Sequence, residues 1–182
     1  MSPRDEADRR GAPLLEVDRL TVELRSSRGV ARIADGVSFH VEPGEVVGLV
    51  GESGCGKSIT ALSLARLQPP VARIVSGTVL LEGEELTALP ERALARRRGS
   101  GIAYVPQDPG SALNPVMRAG AQVASVVKSA GRAAGREASE VVASLFRRVG
   151  LEASDRLLRA YPHELSGGMR QRVALAAALA AG

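Results

Sequence analysis

Residues 45–67 read EVVGLVGESGCGKSITALSLARL, and the reading of this stretch decides the fold. Val46, Val47, Leu49 and Val50 make a continuously apolar run, the pattern of a central strand buried on both faces. The run leads directly into GESGCGKS at 51–58, which satisfies the phosphate-loop spacing G-x-x-x-x-G-K-[ST]. SITALSLARL then reads as a helix that is apolar nearly all round, as expected where a helix packs against a sheet on several sides. Strand, glycine loop and helix in succession are the context the motif requires. Gly51, Gly54 and Gly56 allow the backbone to turn tightly and aim N–H groups at phosphates. Lys57 can reach the outer phosphates, and Ser58 offers a hydroxyl to Mg²⁺. Glu52, Ser53 and Cys55 complete the loop and count with it as nucleotide contacts. Cys55, between a helix start and Lys57, is expected to react with alkylating reagents and to be shielded by nucleotide.

Upstream, LLEVDRLTVEL and GVSFHV alternate apolar with polar residues as half-buried strands do, and they flank a turn region at SSRG. Downstream, SGTVLLEG reads as another strand. PERALARRRG reads as a short helix with Pro near its start and Gly past its end, and Arg96 to Arg98 suit its C-terminus. GIAYVPQDP is expected to be a short buried strand broken by Pro106, with Gln107 just past its carboxyl end, the edge where open α/β sheets bind ligands. From 116 the character becomes helical: VMRAGAQVASVV, a SAGRAAGR connection, then EASEVVASLFRRVG. In the last of these Val141, Val142, Leu145, Phe146 and Val149 share a face and Gly150 supplies the stop.

The chain closes with ELSGGMRQRVALAAALAAG. Ser166, Gly167 and Gly168 open an apolar helix whose first N–H groups lack partners and carry the positive end of the macrodipole, so the turn is suited to an anion. Met169, Val173, Ala176 and Ala180 lie on one stripe. Arg170 and Arg172 are expected in the first turn, where the dipole disfavours cations, and such a local conflict tends to mark function.

The 182 residues suffice for one domain with a core of Val, Leu, Ile and Ala, because aromatics are only 2% of the chain. The formal charge of +4 arises from arginines spread among comparable numbers of carboxylates. It reads as a solvated surface, not a nucleic-acid footprint. One cysteine permits no internal disulfide, and neither His40 nor His163 has metal-ligand neighbours at suitable spacing. Residues 1–13 read as a flexible tail with no signal peptide, and no run approaches a membrane span.

The phosphate loop, the Gln107 loop in VPQDPGSALNPVM and YPHELSGGMRQRVALA, in that order, resemble the ATP-binding cassette (ABC) transporter ATPases over about residues 14–182. The stretches around 106–117 and 161–176 look most like the oligopeptide and dipeptide importers, a branch that includes nickel importers. The resemblance implies an α/β fold: a P-loop NTPase core with an N-terminal antiparallel β subregion and an inserted helical subdomain. Its expected parts are 14–115 (β subregion and core), 116–165 (helical subdomain) and 166–182 (signature helix). It implies an ATPase that uses ATP and Mg²⁺, with Lys57 and Gln107 catalytic, and Ser58 and Gln107 near the metal. Two such domains stack head to tail in that family, as homo- or heterodimers. Ser166, Gly167 and Gly168 of one then face the γ-phosphate held by Gly51 to Ser58 of the other. Partners would be integral membrane permease subunits and, indirectly, a solute-binding protein, with the ATPase peripheral on the cytoplasmic face of the membrane.

The chain departs from that pattern in two ways. No residues correspond to the Walker B Asp, the adjacent catalytic Glu or the switch His. The expectation is therefore an incomplete central sheet, exposed apolar faces, an aggregation-prone chain and little or no hydrolysis by it alone. Residues 14–38 also contain no aromatic where relatives stack adenine before the phosphate loop; Leu24 or Val30 lies near that place, and base selection is weakened accordingly. A soluble ABC ATPase without membrane partners, and an inactive nucleotide-binding fragment, are the rival readings.

Overall fold

The computed structural model describes residues 12–27, 29–108 and 112–181. The described residues divide into two compact units, one up to Leu94 and one from Ala95. Of the expected tail, residues 1–11 lie outside the described residues.

The first unit is built on a hairpin. β1 (Leu15–Ser26) pairs antiparallel with β2 (Gly29–Val41), from Leu15 opposite Val41 to Ser26 opposite Gly29. The turn falls in SSRG, as the alternation predicts, but β2 extends well upstream of GVSFHV. On the other side of β1, β3 (Ala72–Leu81) also runs antiparallel, and the two-residue β4 (Glu84–Glu85) completes the order β2-β1-β3-β4. Val17, Leu20, Val22, Ala34, Val79 and Leu81 are buried, giving one apolar face. The step from Val17 to Leu20 breaks strict alternation because the register shifts there and Arg19 adopts φ 46°.

Helix α1 (Lys57–Leu64) packs on β1 and β2. It departs from the all-round burial expected of it: Thr60 and Ser63 are buried, whereas Ile59, Leu62 and Leu64 are half-exposed. The small hydroxyl side chains form its contact face. Helix α2 (Glu91–Arg97) has Glu91 in its first turn and Arg96 and Arg97 in its last, each favourable to the dipole, and it crosses the boundary between the units.

Two expected strands are corrected. Residues 46–50 form no strand, with Val46 95% and Val50 92% exposed. Residues 103–106 form none either, and Tyr104 and Val105 are exposed, with only an isolated bridge from Arg98 to Ile102 beside them. Apolar runs of this kind become strands only when another strand completes their hydrogen bonds, and none of the described residues does so for either segment.

The second unit is helical. α3 (Ala119–Ser129), α4 (Gly135–Arg148), α5 (Asp155–Arg159), a 3₁₀ turn (Pro162–Glu164) and α6 (Gly167–Ala181) enclose one apolar cluster. Val142, Leu145 and Phe146 of α4 are buried in it, with Val141 and Val149 packed against it, so the periodicity of EASEVVASLFRRVG marks the core face. Val173, Ala176 and Ala180 of α6 are buried and Met169 packs beside them. The short α5 is closed by Ser154, whose side chain accepts from the Leu157 N–H at 3.4 Å.

Candidate functional site

The loop 51–58 is shaped by its own residues. Gly51, Gly54 and Gly56 all have positive φ, at 155°, 85° and 95°. At Gly56 the requirement is also spatial: a Cβ there would lie 2.2 Å from the carbonyl oxygen of Ile33 on β2, so only hydrogen fits. Gly56 caps the start of α1, and its carbonyl accepts from both the N–H and the hydroxyl of Thr60, at 2.9 and 3.0 Å. This double bond pattern explains why a buried threonine stands in the helix.

Lys57 is the first residue of α1 and half-buried. Its Nζ donates to the carbonyl oxygens of Gly51 at 2.8 Å and Glu52 at 2.7 Å, and lies 3.5 Å from Cys55 Sγ. The ammonium is thereby held over the loop. Ser58 is exposed beside it, Cys55 is exposed, and the first turn of α1 carries no acidic residue. The glycine loop, the helix N-terminus, an ammonium and a hydroxyl lie together in an exposed, donor-bearing loop whose chemistry suits phosphate oxygens, with an oxygen on Ser58 for a hard cation. Among the described residues no group of three or more His, Cys, Asp or Glu could hold a metal by protein ligands alone.

Gln107 lies in the second unit, exposed, in a bend after the unpaired segment 103–106. The Ser166 turn is also in that unit. Ser166 caps α6: its Oγ accepts from the Met169 N–H at 3.3 Å and its carbonyl from the Arg170 N–H at 2.9 Å. Gly167 and Gly168 are exposed, and a Cβ on either would meet nothing within 4 Å. Arg170 occupies the first turn of α6 as expected, but Arg172 does not: the helix begins at Gly167, so Arg172 belongs to the second turn, where the dipole's effect has faded. Its Nη1 donates to the Gly150 carbonyl at 2.8 Å. The expected conflict is thus confined to Arg170.

The approach to this turn is ordered by polar contacts that the sequence pattern did not reveal. The Tyr161 N–H donates to Glu164 Oε2 at 2.7 Å, Tyr161 stacks on His163 with centroids 5.6 Å apart, and Arg118 lies over the Tyr161 ring. Gln122 is another residue sequence reasoning missed. Its amide nitrogen donates to the Asn114 and Met117 carbonyls, at 3.0 and 2.8 Å, while its oxygen accepts from the Asn114 N–H at 2.9 Å. Leu24 pairs with Ala31 and Val30 with Arg25, so the two aliphatic residues expected near a base point to opposite faces of the sheet.

Comparison with known proteins gives these features a family. Residues 34–182 match the model of a family described as ABC transporter. A probable peptide ABC transporter ATP-binding protein, y4tR, of Sinorhizobium fredii is 44% identical over 92% of this chain and 50% of its own length. The oligopeptide transport ATP-binding protein OppD of Mycobacterium tuberculosis is 45% identical over 93% of this chain and 28% of its own. The chain thus spans half or less of the length of these curated relatives. Among solved structures, the ATP-binding cassette MJ0796, as a dimer in a post-hydrolysis state bound to ADP and Pi, superposes with a TM-score of 0.79 over 91% of this chain and 69% of its own, at 24% identity. The cassette CbiO1 of Clostridium perfringens, part of the transporter complex CbiONQ, gives 0.71 over 92% and 61%, also at 24% identity. At that identity the structural likeness speaks for the fold, an α/β P-loop cassette. With the match covering most of its length and the phosphate loop in place, the chain belongs to the ABC transporter family.

Proposed function

We propose that this chain supplies the nucleotide-binding region of an ATP-binding subunit that couples ATP binding and hydrolysis to import of peptides or similar small solutes. The observation that carries the reading is the loop 51–58, with Gly56 wedged beneath Ile33 and Lys57 at the opening of α1. Support for the solute class comes from the relatives: the proteins named for peptide and oligopeptide transport align with more than nine-tenths of the chain. In this reading Gly51 to Ser58 would hold the ATP phosphates and Ser58 would offer its hydroxyl to Mg²⁺, while Gln107 is assigned to the metal by the family resemblance alone. Bound Mg²⁺ would screen the phosphate charges. Lys57 exchanges its carbonyl partners for phosphate oxygens, and Gln107 orients water beside them. Ser166, Gly167 and Gly168 serve the phosphates of a second ATPase subunit stacked head to tail, for which their exposed helix start is suited. The parts 14–115, 116–165 and 166–182 are read as core with β subregion, helical subdomain and signature helix. Permease subunits hold the pair at the cytoplasmic face of the membrane, and a solute-binding protein acts through them. No helix among the described residues is long and apolar enough to cross a membrane.

The test is uptake of labelled di- to pentapeptides by cells carrying the natural gene intact, deleted, or with Lys57→Ala. Loss of uptake in both altered strains supports the proposal. Full uptake in the deletion strain refutes the transport assignment, and co-purification of the tagged natural protein without any membrane subunit would favour a soluble ABC ATPase.

A further inference from the structure

From Val173 onward helix α6 carries only apolar residues: Leu175 is 39% exposed while Val173 and Ala176 are fully buried. Its contact face consists mostly of alanine, with Ala174, Ala176 and Ala180 in the cluster. Small side chains permit close approach but offer few knobs to lock a helix against rotation or sliding. Directional bonds must then fix what the packing leaves loose.

One such bond lies near each end of α6. Toward its C-terminus the Leu179 carbonyl accepts from Arg132 Nη1 at 2.8 Å. Nearer its start, Arg172 Nη1 donates at 2.8 Å to the Gly150 carbonyl, across 22 residues of sequence. Gly150 is itself a fixed point. It has φ 72°, its N–H donates to the Arg147 carbonyl at 3.0 Å, and the next N–H, that of Leu151, donates to the Phe146 carbonyl at 2.9 Å. This left-handed cap closes α4 and is held down by Phe146 and Leu151, both buried. The guanidinium of Arg172 therefore ties α6 to the most firmly capped end of α4, less than two turns after the Ser166 turn.

We propose that Arg172 is a positioning residue: through the Gly150 carbonyl it sets the rotation and axial position of α6, and so the aim of the N–H groups at Ser166 to Gly168. The inference rests on the reading that this turn serves a nucleotide bound to a second subunit. Arg172 touches no nucleotide itself, so its loss weakens assembly of the nucleotide-bound pair and leaves the phosphate loop's own affinity alone.

The test uses the natural full-length protein with Arg172→Gln, Arg172→Lys and Ser166→Arg. Binding of a fluorescent ATP analogue at dilute protein reads the phosphate loop, and sedimentation with a non-hydrolysable ATP analogue reads pairing. The expected result is unchanged analogue affinity for the two Arg172 variants, with pairing weakened about tenfold by Arg172→Gln. Arg172→Lys, which keeps one charged donor, restores part of it, and Ser166→Arg abolishes pairing. A general loss of folding would lower analogue affinity as well, and Lys would rescue both readouts together. Pairing by Arg172→Gln at the wild-type level, while Ser166→Arg abolishes it, overturns this inference alone. Undiminished pairing by Ser166→Arg overturns the underlying reading of the turn.

Discussion

Gly56→Ala tests the geometry on which the phosphate loop depends. The added Cβ would stand 2.2 Å from the Ile33 oxygen, 3.2 Å from its carbonyl carbon and 3.4 Å from its Cγ2. The nearest atom is backbone, so relief requires the loop or β2 to move. Two costs combine. Holding a non-glycine residue at φ 95° in place of glycine costs about 1–2 kcal/mol. Making room in a tight contact adds about 1–3 kcal/mol. Together they amount to roughly 2–5 kcal/mol, equivalent to a fall in melting temperature of about 6–15 °C for a domain of this size. A second effect separates this from simple destabilisation. The Gly56 carbonyl holds Thr60 through two bonds, so a displaced Gly56 also disturbs the start of α1 and the N–H groups that point out of it. Thermal melts without nucleotide, paired with titration of a fluorescent ATP analogue at a temperature where the variant is folded, read both effects. A variant that melts within about 1 °C of the parent and binds the analogue equally would refute the claim that contact with Ile33 fixes the loop.

Lys57→Ala removes the ammonium and leaves the glycine backbone intact. Analogue affinity should fall at least about tenfold, in line with a lost charge-assisted bond, while the melting temperature without nucleotide changes by only about 2 °C. Ser166→Ala deletes the cap on α6 and should cost about 1 kcal/mol, seen as a loss of roughly 2–4 °C, whereas Ser166→Asp, which can also cap, should recover most of it. Gln122→Ala releases the Asn114 and Met117 carbonyls, and amide exchange at Asn114 should quicken relative to Val123 inside α3. Cys55 is exposed 3.5 Å from Lys57 Nζ, so alkylation by iodoacetamide should slow several-fold when ATP is present; equal rates with and without ATP would remove Cys55 from the nucleotide's neighbourhood.

What the sequence made legible is what short segments determine by themselves. The β1–β2 hairpin follows from alternation around a turn, and α4 from a face carrying Val142, Leu145 and Phe146. The start of α6 follows from the Ser-Gly-Gly that precedes its apolar stripe, although the Ser166 cap on it is a structural finding. Two kinds of feature escaped. Apolar runs at 46–50 and 103–106 state a preference for burial, but strand hydrogen bonds come from distant segments that periodicity does not name. The ties of Gln122 to Asn114 and of Arg172 to Gly150 likewise join side chains to backbone carbonyls of other segments, and they leave no periodic trace. The short α5 had a signal that went unread: Ser154 followed by Asp155 is an N-terminal cap with a favourable charge.

The phosphate loop is shaped by contacts other than a strand ladder in the segment before it. Residues 46–50 have no ladder, yet 51–58 has the positive-φ glycines, the Lys57 contacts and the Gly56–Thr60 bonds described above. All but one of those restraints act within the stretch from Gly51 to Thr60. The exception, the Ile33 carbonyl, comes from β2, at a register irregularity between the pairs Val22–Ala34 and Glu23–Arg32. An irregularity there places a residue out of step with the β1–β2 pairing, and its carbonyl lies against Gly56. The hairpin thereby anchors the loop where the preceding apolar segment does not. Disrupting the β1–β2 register near Ile33 should therefore damage nucleotide binding more than polar substitutions at Val46 or Val50, which are exposed.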